Sequence, residues 1–303
     1  MGYAHPPGRV LAFLRYYPSR HGSRCRGGVR YSSVSIAESF GYLRERHPEY
    51  LFRHPCREMQ AVPLERVGEH LLPERRLEEI AVCPGDEFER QVGELAELLS
   101  REVPLRCLGI TGSGLVGLHR PSSDADLVVY GRGWFERLRR MLGECFTEGG
   151  ELEPPSMEQW RRCYEKRLPG RELSFAEFLW HERRKLNRLS FRGRMVDLLL
   201  VRRAKERWRA EPCRQLGRRR IRAVVVEDEL SFDVPARYGV EHELVEEVVS
   251  YTHTYTGQAV RGEVIEACGM LEEVGGRVRL VVGTTREAVG EYIRVLRSAP
   301  PEA

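Results

Sequence analysis

The chain has 303 residues, a net charge of +4, and 41% hydrophobic and 31% charged residues, enough for one to three domains that bury cores of their own. No apolar run approaches the roughly 18 residues of a membrane-spanning helix, so a helical membrane protein is excluded. The first residues, MGYAHPPGRVLAFLRYYP, lack both the basic start and the long apolar core of a secretory signal, and Pro6 stands where myristoylation expects Ser or Thr. Eight scattered cysteines form no C-x-x-C pair, which predicts reduced, mostly buried thiols in a cytoplasmic protein, not a disulfide frame or zinc site. Arginine dominates the basic residues, only Lys166, Lys185 and Lys205 being lysine, and Asn187 is the single asparagine. Scarcity of thermolabile amides points toward a thermophile.

In chain order, residues 9–17 and 29–35 read as strands, rich in β-branched and aromatic residues, flanking a basic loop with Arg20, Arg24 and Arg26. Basic residues interleaved with Tyr16, Tyr17 and Tyr31 suit single-stranded nucleic acid. Ser35 and Glu38 form a capping box for a helix over 36–46. A strand is expected at 59–62 and a helical stretch interrupted by Pro73 at 63–82. Asp86 opens a helix to about 101, with Phe88, Val92, Leu95, Leu98 and Leu99 on one face.

The stretch LGITGSGLVGLHRPSSDADLVVYG follows. An apolar run enters the Gly112-Ser113 turn, and a second run leaves Asp124-Ala125-Asp126. Residues i and i+2 of a strand share a face, so Asp124 and Asp126 are placed side by side, a hard-oxygen pair suited to Mg²⁺. Glycines let backbone approach a phosphate closely. A helix follows at 133–146, a linker at 149–155, and helices at 156–167 and 174–189. Residues 195–201 form an apolar strand broken only by Asp197, a carboxylate that is costly to bury unless it is paired or binds a metal. An arginine-rich helix is expected at 202–220. Beyond it, short β runs and a closing helix at 285–297 form a small C-terminal domain.

These features resemble the DNA polymerase β-like nucleotidyltransferase superfamily, whose hallmarks are Gly-Ser opening a short helix, Asp-x-Asp on the next strand and a third acidic residue on a later one. The match spans about residues 84–203. The segment from His181 to Arg188, followed by Gly193-Arg194-Met195-Val196-Asp197, further resembles predicted archaeal nucleotidyltransferases of uncharacterised substrate, with Val196 where Phe is commoner. The resemblance implies an α+β chain: a nucleotidyltransferase mixed sheet with helices, plus a small β-rich C-terminal domain. The expected regions are 1–83 (α/β), 84–220 (nucleotidyltransferase core with a basic helical segment) and 221–303 (β-rich). It implies an enzyme that moves an NMP from an NTP to a hydroxyl of RNA, protein or small molecule. Asp124, Asp126 and Asp197 are then the catalytic and metal-binding carboxylates for Mg²⁺ or Mn²⁺. Gly112 and Ser113 bind the triphosphate, with Arg183, Lys185 and Arg188 as its candidate counter-charges.

Two other motifs fail. Gly112-x-Gly114-x-x-Gly117 fits a dinucleotide fingerprint literally, but Pro121 and Ser122 leave no room for its crossover helix. No Gly-Lys-Ser/Thr occurs, so a P-loop is not supported. Charge is uneven: residues 161–222 hold 21 Lys/Arg against 7 Asp/Glu, a net of +14, whereas 223–303 carry −8. That basic middle segment supports an alternative, a non-catalytic nucleic-acid-binding protein.

Overall fold

The computed structural model describes residues 5–202, 211–284 and 288–296. The chain divides into two compact units. One takes the described residues of Met1–Arg53, Glu58–Met157 and Leu186–Trp208. The other takes those of His54–Arg57, Glu158–Lys185 and Arg209–Ala303. No described helix is long and apolar enough to cross a membrane.

The first unit begins with strands β1 (Arg9–Leu11), β2 (Tyr16–Pro18), β3 (Arg24–Arg26) and β4 (Val29–Ser33). Strands β2, β4 and β3 form an antiparallel sheet in that order. Helix α1 (Ile36–Arg46) carries the expected capping box, with Ser35 and Glu38 each satisfying the other's backbone N–H. Strands β5 (Leu51–His54) and β6 (Arg57–Pro63) pair with β1 in the order β1-β6-β5. Pro73 starts helix α2 (Pro73–Val82) and does not interrupt one: its missing N–H costs nothing at a first helical position. Asp86 caps α3 (Glu87–Ser100) by accepting from the Glu89 N–H at 2.9 Å.

A five-stranded sheet forms the heart of this unit. Its strands are β7 (Leu108–Ile110), β8 (Ala125–Tyr130), β9 (Leu152–Glu153), β10 (Arg188–Phe191) and β11 (Arg194–Val201), in the order β7-β8-β11-β10-β9. Only β8 and β11 run parallel. The short helix α4 (Gly112–Leu115) links β7 to the loop before β8, and α5 (Arg132–Glu148) follows β8. Parallel register puts Leu127, Val129, Leu198 and Leu200 on one fully buried face. The other face carries Asp126, Tyr130, Asp197, Leu199 and Val201, several of them half-open. The helix expected over 174–189 ends earlier, and its last residues 188–189 begin β10: Leu186 takes φ 50°, which ends the preceding helix, and the chain turns back as a strand.

The second unit holds α6 (Met157–Arg167), α7 (Phe175–Lys185) and strands β12 (Cys213–Glu227), β13 (Ala236–Glu241), β14 (Glu247–Ser250), β15 (Val264–Val274), β16 (Arg277–Val282) and β17 (Tyr292–Val295). Strands β12-β13-β14-β16-β15 pair in sequence, and β15 pairs back onto β12, closing a small barrel; β17 borders β15. The C-terminal region is β-rich as expected, but described parts of two expected helices, one at the end of the expected core and one at the C-terminus, are strands. Of 202–220, residues 203–210 lie outside the described residues, and Cys213 onward is β12. Residues 213–220 pair along β15 from Val274 to Cys268, and that pairing overrides the helix propensity of their arginines. Of 285–297, residues 285–287 and 297 are not described, and 292–295 are β17. Cys56 and Cys213 form a disulfide with Cα atoms 5.5 Å apart, which corrects the expectation of thiols throughout; the other six cysteines are free.

Candidate functional site

The site is assembled on the half-open face of the first unit's sheet. Strands β8 and β11 pair in parallel with Asp126 directly opposite Asp197. Side chains opposite each other on parallel neighbours share a face, so the two carboxylates stand together near the start of β8 and at the fourth residue of β11. Asp124 lies two residues earlier, exposed, in the loop entering β8. All three carboxylates named from sequence belong to this one unit.

Gly112 is fitted to this face. It takes φ 62°, and a Cβ there would lie 2.3 Å from the Asp126 Oδ2, so no other residue leaves that carboxylate in place. The Thr111 N–H donates to the Asp126 carbonyl at 2.8 Å, stitching the turn to the strand. Ser113, half-buried at the start of α4, accepts from the Leu118 N–H through its carbonyl at 2.9 Å.

Arg188, a candidate counter-charge to the triphosphate from sequence, is placed against a carboxylate of the site. It stands opposite Asp197 across the antiparallel β10–β11 pair, and its Nε donates to Asp197 Oδ1 at 2.7 Å. Its side chain is only 3% exposed, so it supplies a fixed counter-charge inside the protein. Lys185, the second candidate counter-charge, is buried as well. Its side chain is 1% exposed in the second unit, where Nζ donates to Glu182 Oε1 at 2.6 Å and to the Thr254 carbonyl at 2.8 Å. Arg183 is exposed on α7, also in the second unit. Sequence proximity to Asp197 suggested a common role; the helix ending at Lys185 separates these residues from the strand that follows.

Three residues that the sequence did not assign to this site shape the loop between Ser113 and Asp124. The Arg194 guanidinium lies 4.7 Å from the centre of the Phe88 ring and donates to the carbonyls of Pro121 at 3.0 Å and Ser123 at 2.5 Å. His119 stacks on Phe88 with ring centres 4.2 Å apart, and its Nε2 meets Asp86 Oδ2 at 2.7 Å. Burial pushes the Asp86 carboxyl up, but the Glu89 N–H and His119 outweigh it and hold the group below its ordinary value. Arg24 donates to the Leu118 carbonyl. Arg194 had a signal in sequence, since it starts the strand that carries Asp197; the stacking of His119 on Phe88 had none.

Cys56, Cys213 and Glu272 lie close enough together to suggest a metal, but the two sulfurs are bonded to each other and Glu272 pairs with Arg57 and Arg279. The group reads as a cross-link beside an ion-pair cluster.

No family model and no solved structure matches the chain. The uncharacterized protein MJ1086 of Methanocaldococcus jannaschii is 37% identical over an alignment of 322 positions, which covers 97% of this chain and 94% of that one.

Proposed function

The chain belongs to the family of that archaeal protein, and for it we propose metal-dependent transfer of an NMP from an NTP to a hydroxyl acceptor, on a polymerase β-like nucleotidyltransferase core. The observation that carries this reading is the in-register pair Asp126–Asp197 with the Asp126 carboxylate packed against Gly112. A glycine turn fitted to a carboxylate brings a phosphate-binding backbone and a cation-binding oxygen to one place. Asp124 and Asp126 would hold Mg²⁺ or Mn²⁺; hard carboxylate oxygens suit such ions. The bound ion would neutralise charge on the triphosphate.

The chain's own groups do the rest by positioning. Gly112 and Ser113 offer backbone N–H groups and a hydroxyl to the β- and γ-phosphates. Asp197, fixed by Arg188, faces the acceptor hydroxyl. The acceptor oxygen bonds to the α-phosphorus, the bond from that phosphorus to the oxygen bridging the β-phosphate breaks, and pyrophosphate departs. The hydroxyl proton passes to water.

A specific observation favours the second reading, a non-catalytic nucleic-acid-binding protein: Arg188 already engages one of the three carboxylates. The two readings part on one measurement. Full-length protein is incubated with each α-³²P-NTP, Mg²⁺ and pools of RNA, protein and small molecules. Label transferred by the native chain and lost in Asp126→Asn supports the enzyme. No label in any pool with any NTP supports the binding protein.

A further inference from the structure

The first acidic residue of the chain is Glu38; before it stand six arginines and no Asp or Glu. Five of the six, Arg15, Arg20, Arg24, Arg26 and Arg30, lie in or beside the β2-β4-β3 sheet, and all but Arg24 are exposed. The sheet is a fixed object. Gly22 lies so close to the Tyr31 backbone that a Cβ would come within 2.3 Å of it. Arg30 donates to the Gly22 carbonyl at 3.3 Å, and the Arg24 guanidinium lies 5.3 Å from the centre of the Tyr16 ring.

This sheet is anchored to the loop of the carboxylate site. Arg24 donates to the Leu118 carbonyl, and Arg120 donates to the Ser23 hydroxyl. A Cβ at Gly117 would lie 3.9 Å from the Arg26 side chain. Those contacts fall between Ser113 and Asp124, the two ends of the candidate nucleotide site. Of the exposed arginines, Arg26 has one acidic partner, Glu69, at 3.5 Å, a separation that contributes little at the surface.

From this placement we infer that the β2-β4-β3 sheet is the acceptor platform of the proposed transferase and that it takes the phosphate backbone of single-stranded RNA. An arginine-rich surface whose own strands carry no acid, with tyrosines among them, has the charge and the flat rings that such a strand requires. Its attachment to the loop before Asp124 delivers a strand end to the carboxylates. The inference rests on the transferase reading for the word acceptor, but the RNA surface is tested separately.

The test uses full-length protein and a fluorescein-labelled single-stranded RNA of mixed sequence, read by anisotropy over a salt series. The native chain should bind it, and R20E/R26E/R30E should weaken binding tenfold or more. R20Q/R26Q/R30Q, which removes charge without reversing it, should also weaken binding and flatten the salt dependence by about 2 in log–log slope, at roughly 0.7 per phosphate contact. Asp126→Asn should bind RNA as the native chain does, while the arginine variants should bind Mn²⁺ as the native chain does. An affinity within twofold of native in both triple variants, with thermal melting unchanged, overturns the surface. So does a native chain that binds poly-glutamate chains but no RNA. RNA binding that falls as stated, with no NMP transfer to any pool, leaves the surface standing and removes the transferase reading alone.

Discussion

Two buried ion pairs lie three residues apart in sequence and in different units of the protein. Glu182–Lys185 joins residues of one helix, each side chain 1% exposed, and the lysine spends its remaining reach on a backbone carbonyl of the barrel unit. Arg188–Asp197 joins neighbouring strands, and its carboxylate is 12% exposed beside Asp126. The first pair is buried among hydrogen bonds of its own unit, where Lys185 reaches Thr254 and His181 reaches Gln258. The second has a carboxylate on a half-open face next to a glycine turn. Buried charge alone therefore does not mark a site. What distinguishes the two is a second carboxylate and an open approach.

The sharpest way to break the comparison is at Asp126. Asp126→Asn should cut NMP transfer by roughly a thousandfold, the scale seen when one fixed electrostatic contact to a transition state is removed. Mn²⁺ affinity should fall with it, while thermal melting stays level or rises, because one source of carboxylate repulsion is gone. Gly112→Ala should imitate the loss of activity, since the new Cβ would displace Asp126. Full turnover in Asp126→Asn would strip the open pair of its functional meaning.

The closed pair should answer in stability. Lys185→Met strands Glu182 in the interior and should cost about 3–5 kcal/mol, as removing one partner of a buried pair does. Adding Glu182→Leu should recover a large part of it, read in urea unfolding. Activity per folded molecule should be unaffected. A Lys185 variant that melts normally but loses transfer would return this lysine to the triphosphate.

The pH dependence belongs to the closed region as well. Burial, then Lys185 and Arg184, push His181 down to about 3. Its Nε2 accepts from the Val295 N–H at 3.4 Å, which leaves Nδ1 to donate to the Gln258 carbonyl at 3.1 Å. The folded group is neutral where the unfolded one, near 6.5, takes up a proton. Its contribution is thus complete above about pH 6.5 and is lost as pH falls toward 3, at about 1.4 kcal/mol per pH unit. His181→Gln should flatten melting temperature against pH between 6.5 and 4. An equally steep decline in that variant would assign the acid sensitivity elsewhere.

The open region was legible where its logic is local. Asp124-Ala125-Asp126 and the Gly112-Ser113 turn lie within 15 residues, and Asp197 announced itself as a lone charge in an apolar strand. The fates of Lys185 and Arg188 were not legible. One depends on a carbonyl 69 residues away and the other on strand register, and neither leaves a periodic trace. The β12 arginines misled for a related reason: residue type favours a helix over 213–220, whereas the strand there is set by pairing with Cys268–Val274 of β15, about 50 to 60 residues on.

Arg183 gives the smallest expected effect and closes the comparison from its other end. It lies one residue from Glu182 and two from Lys185, yet it is exposed on α7. It belongs to the closed pair's helix without sharing its burial. If charge near Asp197 in sequence had drawn the triphosphate, Arg183→Ala should raise the KM for NTP many-fold. If position on the open sheet decides, it should move KM by no more than about twofold and stability by no more than about 0.5 kcal/mol, the range of surface substitutions. Steady-state kinetics at low salt, where an exposed charge acts most strongly, is the measurement that decides. A KM that rises tenfold there and recovers in Arg183→Lys would place the second unit's helix against the nucleotide after all.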